Sequence, residues 1–167
     1  PFGKPFTVSE FNQNWPNRRG QEMLPVMGAF AAFQDWDGLI PGLLAKKFDV
    51  IIASMSITDE RKQKVDFTNK YYQTPARFVV KKGAGITVSK EGLKGKTVGV
   101  QRATIHENFV RDMFGDAVTI KAYATQDEAN NDLAAGRLDY VQADGSALEA
   151  FLGTDQGKAC CEMKGQV

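Results

Sequence analysis

Two rhythms of apolar and polar positions run along the chain from residue 35 onward. Leu39, Ile40, Leu43 and Leu44 recur at helical spacing behind Asp37, a residue suited to cap such a helix. The continuous apolar run Val50-Ile-Ile-Ala53 reads as a fully buried strand. A polar turn follows, and a short helix is expected from Asp59 to about Lys64, opening at Thr58. Arg77–Lys81 and Thr97–Gln101 read as strands. Thr104 and Glu107 have capping-box spacing, and the helix behind them is expected to bury Ile105, Phe109 and Met113. Val118–Ala124 alternates as a strand. Thr125 and Glu128 repeat the capping box ahead of a helix that Gly136 ends. Leu138–Ala143 then reads as a strand and Ser146–Leu152 as a helix. Strands alternating with helices predict an α/β layer rich in parallel strands.

Residues 1–33 show neither rhythm. Four of the six prolines fall there, at 1, 5, 16 and 25, among three asparagines and an Arg-Arg-Gly turn. The segment is expected to be an irregular arm. The expected organisation is therefore an irregular segment over 1–33, a partial first lobe over 34–80 and a second lobe over 81–167.

One stretch of the pattern repeats. Leu43-Leu-Ala-Lys-Lys-Phe-Asp49-Val-Ile-Ile-Ala-Ser54 matches Leu133-Ala-Ala-Gly-Arg-Leu-Asp139-Tyr-Val-Gln-Ala-Asp144 in kind: helix end, basic turn, Asp, strand, polar end. Ligands of open α/β sheets sit beyond the carboxyl ends of strands, so Ser54 and Asp144 are the polar ends to weigh. Asp49 and Asp139 are expected to fix turns.

Composition narrows the partners. Twenty-one basic and 20 acidic side chains give a net charge of +1, which recommends neither nucleic acid nor an anionic membrane surface. No apolar run is long enough to span a bilayer. His106 stands alone, so a multi-histidine metal site is excluded, and no cofactor motif is present. Cys160 and Cys161 are neighbours, and neighbours rarely pair because the bridge strains the intervening peptide. No signal peptide is visible and the chain begins at Pro1, as a processed product or a fragment would.

The chemistry that remains is that of holding a small zwitterion. Hydroxyls of Ser54 and Ser56, amides at a helix start and the Arg61 guanidinium suit a carboxylate. The backbone N–H at Thr104 would add a donor, Asp144 would take an ammonium, and Trp36 offers a flat apolar face. Each has a plainer reading: Arg61 as a solvated charge between lysines, Thr104 as a cap, Asp144 as a turn former before Gly145, Trp36 as core. His106, on the first turn of its helix, is expected to be exposed. No nucleophile elbow and no phosphate loop is present.

The stretches Asp35-Trp-Asp-Gly-Leu-Ile-Pro41, Lys46 to Arg61, Val65-Asp-Phe-Thr-Asn-Lys-Tyr-Tyr72, Leu93 to Gln101 and Ala135 to Asp144 resemble, in order, the periplasmic polar amino-acid and opine-binding proteins of ABC importers. The resemblance runs from about residue 34 to about residue 158. It implies a two-lobed, Venus-flytrap fold of type II, a non-catalytic binder that closes on a polar or basic amino acid or an opine, a periplasmic location, and the importer's membrane subunits as partners. It places Trp36, Ser54, Ser56 and Arg61 as first-lobe contacts, Arg61 on the α-carboxylate. It places Thr104 and Asp144 as second-lobe contacts, with Gln101 and His106 where side-chain contacts vary.

Residues 1–33 do not reproduce the family's opening strand and helix, and the chain stops where the family crosses back to the first lobe. A swapped homodimer could supply the missing part. Two other readings follow. One is a ligand-free fragment or interaction module exposing Leu39, Ile40 and Phe48. The other is a cyclohexadienyl-type dehydratase, which needs a general acid that only Glu107 or His106 could provide.

Overall fold

A computed structural model describes residues 6–8, 36–70 and 73–166. The chain divides into two compact units, Pro1–Gln73 and Thr74–Val167.

In the first unit, β1 (Phe6–Val8) lies between β2 (Val50–Ile52) and β3 (Asp66–Phe67), parallel to both. The strand at Phe6–Val8 corrects the expectation of an irregular arm at that point; the rest of residues 1–33 lies outside the described residues. Three residues are too few to show a period, and only the pairing with β2 and β3 reveals the strand. A 3-10 turn (Trp36–Gly38) leads into α1 (Leu39–Leu44). Gly38, not Asp37, is the N-cap, and no side chain caps the helix. Leu39, Leu43, Ile51, Met55 and Val65 form the buried core, with Trp36, Ile40 and Phe48 packed against it. Leu39 is thus covered, and Ile40 and Phe48 are half-buried. Of β2 only Ile51 is fully buried.

The second unit holds a five-stranded sheet in the order β6-β5-β7-β4-β8. These are β4 (Ala76–Lys81), β5 (Thr97–Gln101), β6 (Thr119–Tyr123), β7 (Tyr140–Asp144) and β8 (Cys161–Gln166). β5 runs parallel to β6 and β7, whereas β4 is antiparallel to β7 and β8. The first three strands follow the βαβ logic of the sequence, with right-handed crossovers the default for such units. β8 escaped prediction because Cys-Glu-Met-Lys-Gly-Gln carries little apolar signal; as an edge strand it needs little.

Four helices cover this sheet: α3 (Ile105–Phe114), α4 (Gln126–Ala134), α5 (Gly145–Gly153) and α6 (Asp155–Cys160). Phe78, Val80, Val98, Val100, Val110, Phe114 and Tyr140 make one core cluster; Val79, Ala129, Leu133, Val141 and Leu148 make another. Alternation along β4 and β7 sends successive residues to opposite clusters, as a pleated strand buried on both faces must. Gly99 permits the close fit of β5, since a Cβ there would lie 2.4 Å from Leu138 Cδ1.

The repeated stretch is a repeated structure. After α1 and after α4, the chain leaves the helix through the same double bond pattern. Lys46 N–H donates to Leu43 O and Lys47 N–H to Gly42 O; Gly136 N–H donates to Leu133 O and Arg137 N–H to Asp132 O. Both turns pass through the left-handed region, at Lys46 (φ 56°) and Gly136 (φ 77°). This is the glycine-type helix stop, which lysine adopts at a steric cost. It then delivers the chain into β2 or β7. Asp139, placed by sequence as a turn-fixing residue, ties the turn to the start of β5, its carboxylate accepting from Thr97 N–H at 2.7 Å.

Three expectations change. The apolar face of α3 is rotated by one residue: His106, Val110 and Phe114 are buried, while Met113 is 53% exposed. Its capping box is also displaced. Thr104 accepts from Glu107 N–H, but the Glu107 carboxylate accepts from Ala103 N–H instead of Thr104. The box at Thr125 and Glu128 is complete. Finally, Cys160 and Cys161 are joined in a vicinal disulfide. The peptide between them links the last residue of α6 to the first of β8.

The buried face of β7 carries an unusual residue. Gln142 is 0% exposed, and neither side-chain amide atom has a hydrogen-bond partner among the described residues. Replacing it with leucine removes two orphaned polar atoms at similar volume. Gln142→Leu should raise unfolding stability in urea by about 1–3 kcal/mol, the cost of leaving such a group unmade. A loss of stability would show that the amide is satisfied in solution.

Candidate functional site

The predicted residues fall into two half-sites, one in each unit. In the first, β2 ends at Ile52 and Ser54 turns the chain through the left-handed region at φ 42°. For serine this is a strained conformation, of a kind that clusters at functional sites. The chain then re-enters α2 (Asp59–Lys62), capped by Thr58, whose hydroxyl accepts from Arg61 N–H at 3.2 Å. Arg61 folds back so that Nη1 donates to the Ser56 carbonyl at 2.8 Å. Its guanidinium carbon stands 6.0 Å from the centre of the Trp36 ring, within cation–π range.

Arg61 is therefore not the freely solvated charge of the plainer reading. Desolvation by burial lowers its pKa from the ordinary value, and the charge of Glu60 works in the opposite direction. Arginine stays protonated under such a shift, so the half-site keeps a fixed cation. Arg61 thus brings Ser56 and Trp36 together. Ser54 is exposed at its strand end.

In the second half-site, β5 ends at Gln101, and Ala103 is again left-handed, at φ 57°. Left-handed residues thus mark both β2 and β5 at their carboxyl ends, a signal that residue types did not show. Gln101 Nε2 donates to Ala124 O at 3.1 Å, tying the end of β5 to the segment after β6. This commits the amide nitrogen to the fold. Thr104 is buried; its hydroxyl donates to Gln101 O and accepts from Glu107 N–H. Any part it plays in anion binding falls to the backbone N–H.

Asp144 closes β7 and occupies the N-cap position of α5, yet its side chain makes no capping bond. Gly145 follows because the chain passes close to β4: its N–H donates to Pro75 O, and a Cβ would lie 3.2 Å from Arg77 Cγ. The Asp144 carboxylate instead meets His106 Nε2 at 3.4 Å. The expectation that His106 is exposed is corrected, since its side chain is 7% exposed while that of Asp144 is 31%. Sequence reasoning placed both residues at the site but did not pair them.

Glu107 is engaged twice, by Ala103 N–H and by Arg111 Nη2, both at 2.8 Å. A carboxylate held as an acceptor by two donors is poorly placed to act as a general acid. Among the described residues no group of three or more His, Cys, Asp and Glu side chains could hold a metal ion. A recess of about 580 Å³ between α4 and the α5–α6 pair, lined by residues including Gln126, Asn130 and Phe151, contains none of the predicted site residues.

The family model for bacterial extracellular solute-binding proteins, family 3, matches residues 21–149. The L-arginine-binding protein of Pseudomonas aeruginosa is 53% identical over 127 residues, which are 75% of this chain and 49% of that protein. The lysine/arginine/ornithine-binding periplasmic protein of Escherichia coli K12 is 44% identical over 126 residues, 74% of this chain and 48% of that protein. The chain thus spans about half the length of these relatives. Among solved structures, an ancestral arginine-binding protein bound to arginine superposes with a TM-score of 0.75 at 30% identity, covering 98% of this chain and 80% of that one. The type II fold expected from the resemblance is the fold of this neighbour.

Proposed function

The chain belongs to family 3 of the bacterial extracellular solute-binding proteins, and on that footing we propose that it binds a basic amino acid or a related opine for delivery to an ABC importer. The observation that carries this reading is the half-buried Arg61, folded against Ser56 and Trp36 and kept cationic. A fixed guanidinium beside a hydroxyl is a receptor for the α-carboxylate. Asp144, with a carboxylate that caps nothing, is the complementary partner for the α-ammonium. Ser54 and the Thr104 N–H supply further donors, Trp36 an apolar face, and Gln101 a framework that holds the end of β5.

The preference for a basic ligand rests on the relatives, whose names specify arginine, lysine and ornithine. Their cellular place supports the periplasm for this chain, and the importer's membrane subunits follow from the same kinship. The family and these relatives are binding proteins; the engagement of Glu107 agrees with a non-catalytic role.

Isothermal titration of the folded chain with arginine, lysine, ornithine, glutamine, glutamate and octopine tests the reading. Arginine, lysine or octopine should give saturable heat with a Kd at or below the micromolar range, roughly −8 kcal/mol or better, and glutamate none. Absence of heat with every ligand, from protein shown to be folded by circular dichroism, overturns the proposal for this chain.

A further inference from the structure

We propose that His106 is a positioning residue: it holds the Asp144 carboxylate in the orientation that receives the ligand's ammonium group, and it does not itself touch the ligand. The inference rests on the reading of Asp144 given above and adds a role for its neighbour.

The argument begins with α3. Residues 106, 110 and 114 form its buried stripe, so the imidazole at 106 lies on the side of the helix that packs on the sheet. On the sheet, Tyr140, Gln142 and Asp144 share one face of β7, opposite Val141 and Ala143. Tyr140 belongs to the same core cluster as Val110 and Phe114, so this is the face that α3 covers. His106 sits at the first turn of α3 and Asp144 at the carboxyl end of β7, and there Nε2 and Oδ1 meet at 3.4 Å.

Burial makes the pair asymmetric. The imidazole is enclosed, while the Asp144 side chain keeps 31% of its surface open. An enclosed ring held 3.4 Å from one side of a half-open side chain restricts its rotamers and leaves the outer lone pairs for a ligand. Support of this kind from a neighbouring side chain is what keeps a binding geometry within a fraction of an ångström. The helix does not do this work, since α5 takes no capping bond from Asp144. Nor does Glu107 compete for the imidazole, because Ala103 N–H and Arg111 engage its carboxylate.

A ligand-contacting histidine and a positioning histidine predict different results. Titration calorimetry with arginine would be run on the wild-type chain and on His106→Leu, His106→Gln and Asp144→Asn. Loss of the polar contact in His106→Leu should weaken binding about ten- to a hundredfold, the order of a polar contact to a charged group. Gln places an N–H near the position of Nε2 and should recover most of that loss. Equal affinity of His106→Leu and wild type, or equal weakening by Leu and Gln, would overturn the inference.

A second arm needs no ligand. His106 is the only histidine in the chain, so its ring signals are unambiguous. Proton–nitrogen correlation spectra should show a protected Nε2–H in the wild type that is lost to exchange in Asp144→Ala. An unchanged signal would remove the contact on which the inference stands. A wild-type chain that binds no ligand overturns the functional reading, and the spectra then judge the His106–Asp144 contact separately.

Discussion

Arg61→Ala should lower affinity for arginine by about 2–5 kcal/mol, the range for truncating one partner of a buried charge pair. At roughly 1.4 kcal/mol per tenfold, that is a loss of about thirty- to several-thousandfold. The substitution removes the cation of the first half-site, the bond to Ser56 O and the stacking on Trp36 together. Arg61→Lys separates these. Lysine keeps a charge but not the planar fork, so it cannot hold the Ser56 carbonyl and still offer a carboxylate two parallel donors in a fixed plane. Most of the loss should therefore persist in the lysine variant. The helix itself should survive both changes, because the Thr58 cap takes the backbone N–H of residue 61 and not its side chain. Thermal unfolding measured beside calorimetry checks this: a Tm within a few degrees of wild type, with binding gone, is the expected pair of results. Full-strength binding by Arg61→Ala would remove Arg61 from the site.

The largest effect on stability is expected from Phe78→Ala. Phe78 is fully buried in β4 and meets Tyr140 with ring centroids 5.6 Å apart, tilted at 55°. It pairs in register with Gln142 on β7 and with Lys164 on β8, and its side chain packs into the core cluster that includes Tyr140. Truncation of such a residue costs about 3–5 kcal/mol from lost burial and the cavity left behind. That is a large part of the roughly 5–15 kcal/mol that holds a domain together. Urea unfolding followed by far-ultraviolet circular dichroism reads this as a fall in midpoint with little change in slope. A loss under about 1 kcal/mol would mean that the sheet collapses to fill the space, contrary to the close packing of interiors. The change also bears on function, because β4 flanks the strand that ends at Asp144.

The two half-sites differ in how far they could be read from residue types. The run from Val50 to Arg61 stated its own geometry: an apolar strand, a polar turn, and a threonine set before Asp-Glu to cap a helix. The bonds from Arg61 N–H to the Thr58 hydroxyl and from Arg61 Nη1 to the Ser56 carbonyl span only three and five residues. The second half-site joins residues 106 and 144, whose elements are separated by β6, α4 and their turns. No local rule reports such a pair. Thr104 was recognisable as a cap, whereas the use of Gln101 as a tie to Ala124 O depended on where β6 ended.

The sequence by itself determined the order of strands and helices over most of the second unit, the caps at Thr58, Thr104 and Thr125, and the repeat that ends in Ser54 and Asp144. These follow from spacing and side-chain type, which act within a few residues. Only the tertiary structure decided which stripe of α3 faces the sheet. The stripes 105-109-113 and 106-110-114 have the same period and lie one residue apart, about 100° around the helix. The first was the more apolar, yet the second is buried, because Val110 and Phe114 meet Val80, Val98 and Tyr140 on strands distant in sequence. Tertiary pairing likewise decided the strand at Phe6–Val8, too short for a period, and the edge strand β8, too polar for one. Burial of His106 against Asp144 follows from the same rotation of α3, and with it the role proposed for the only histidine in the chain.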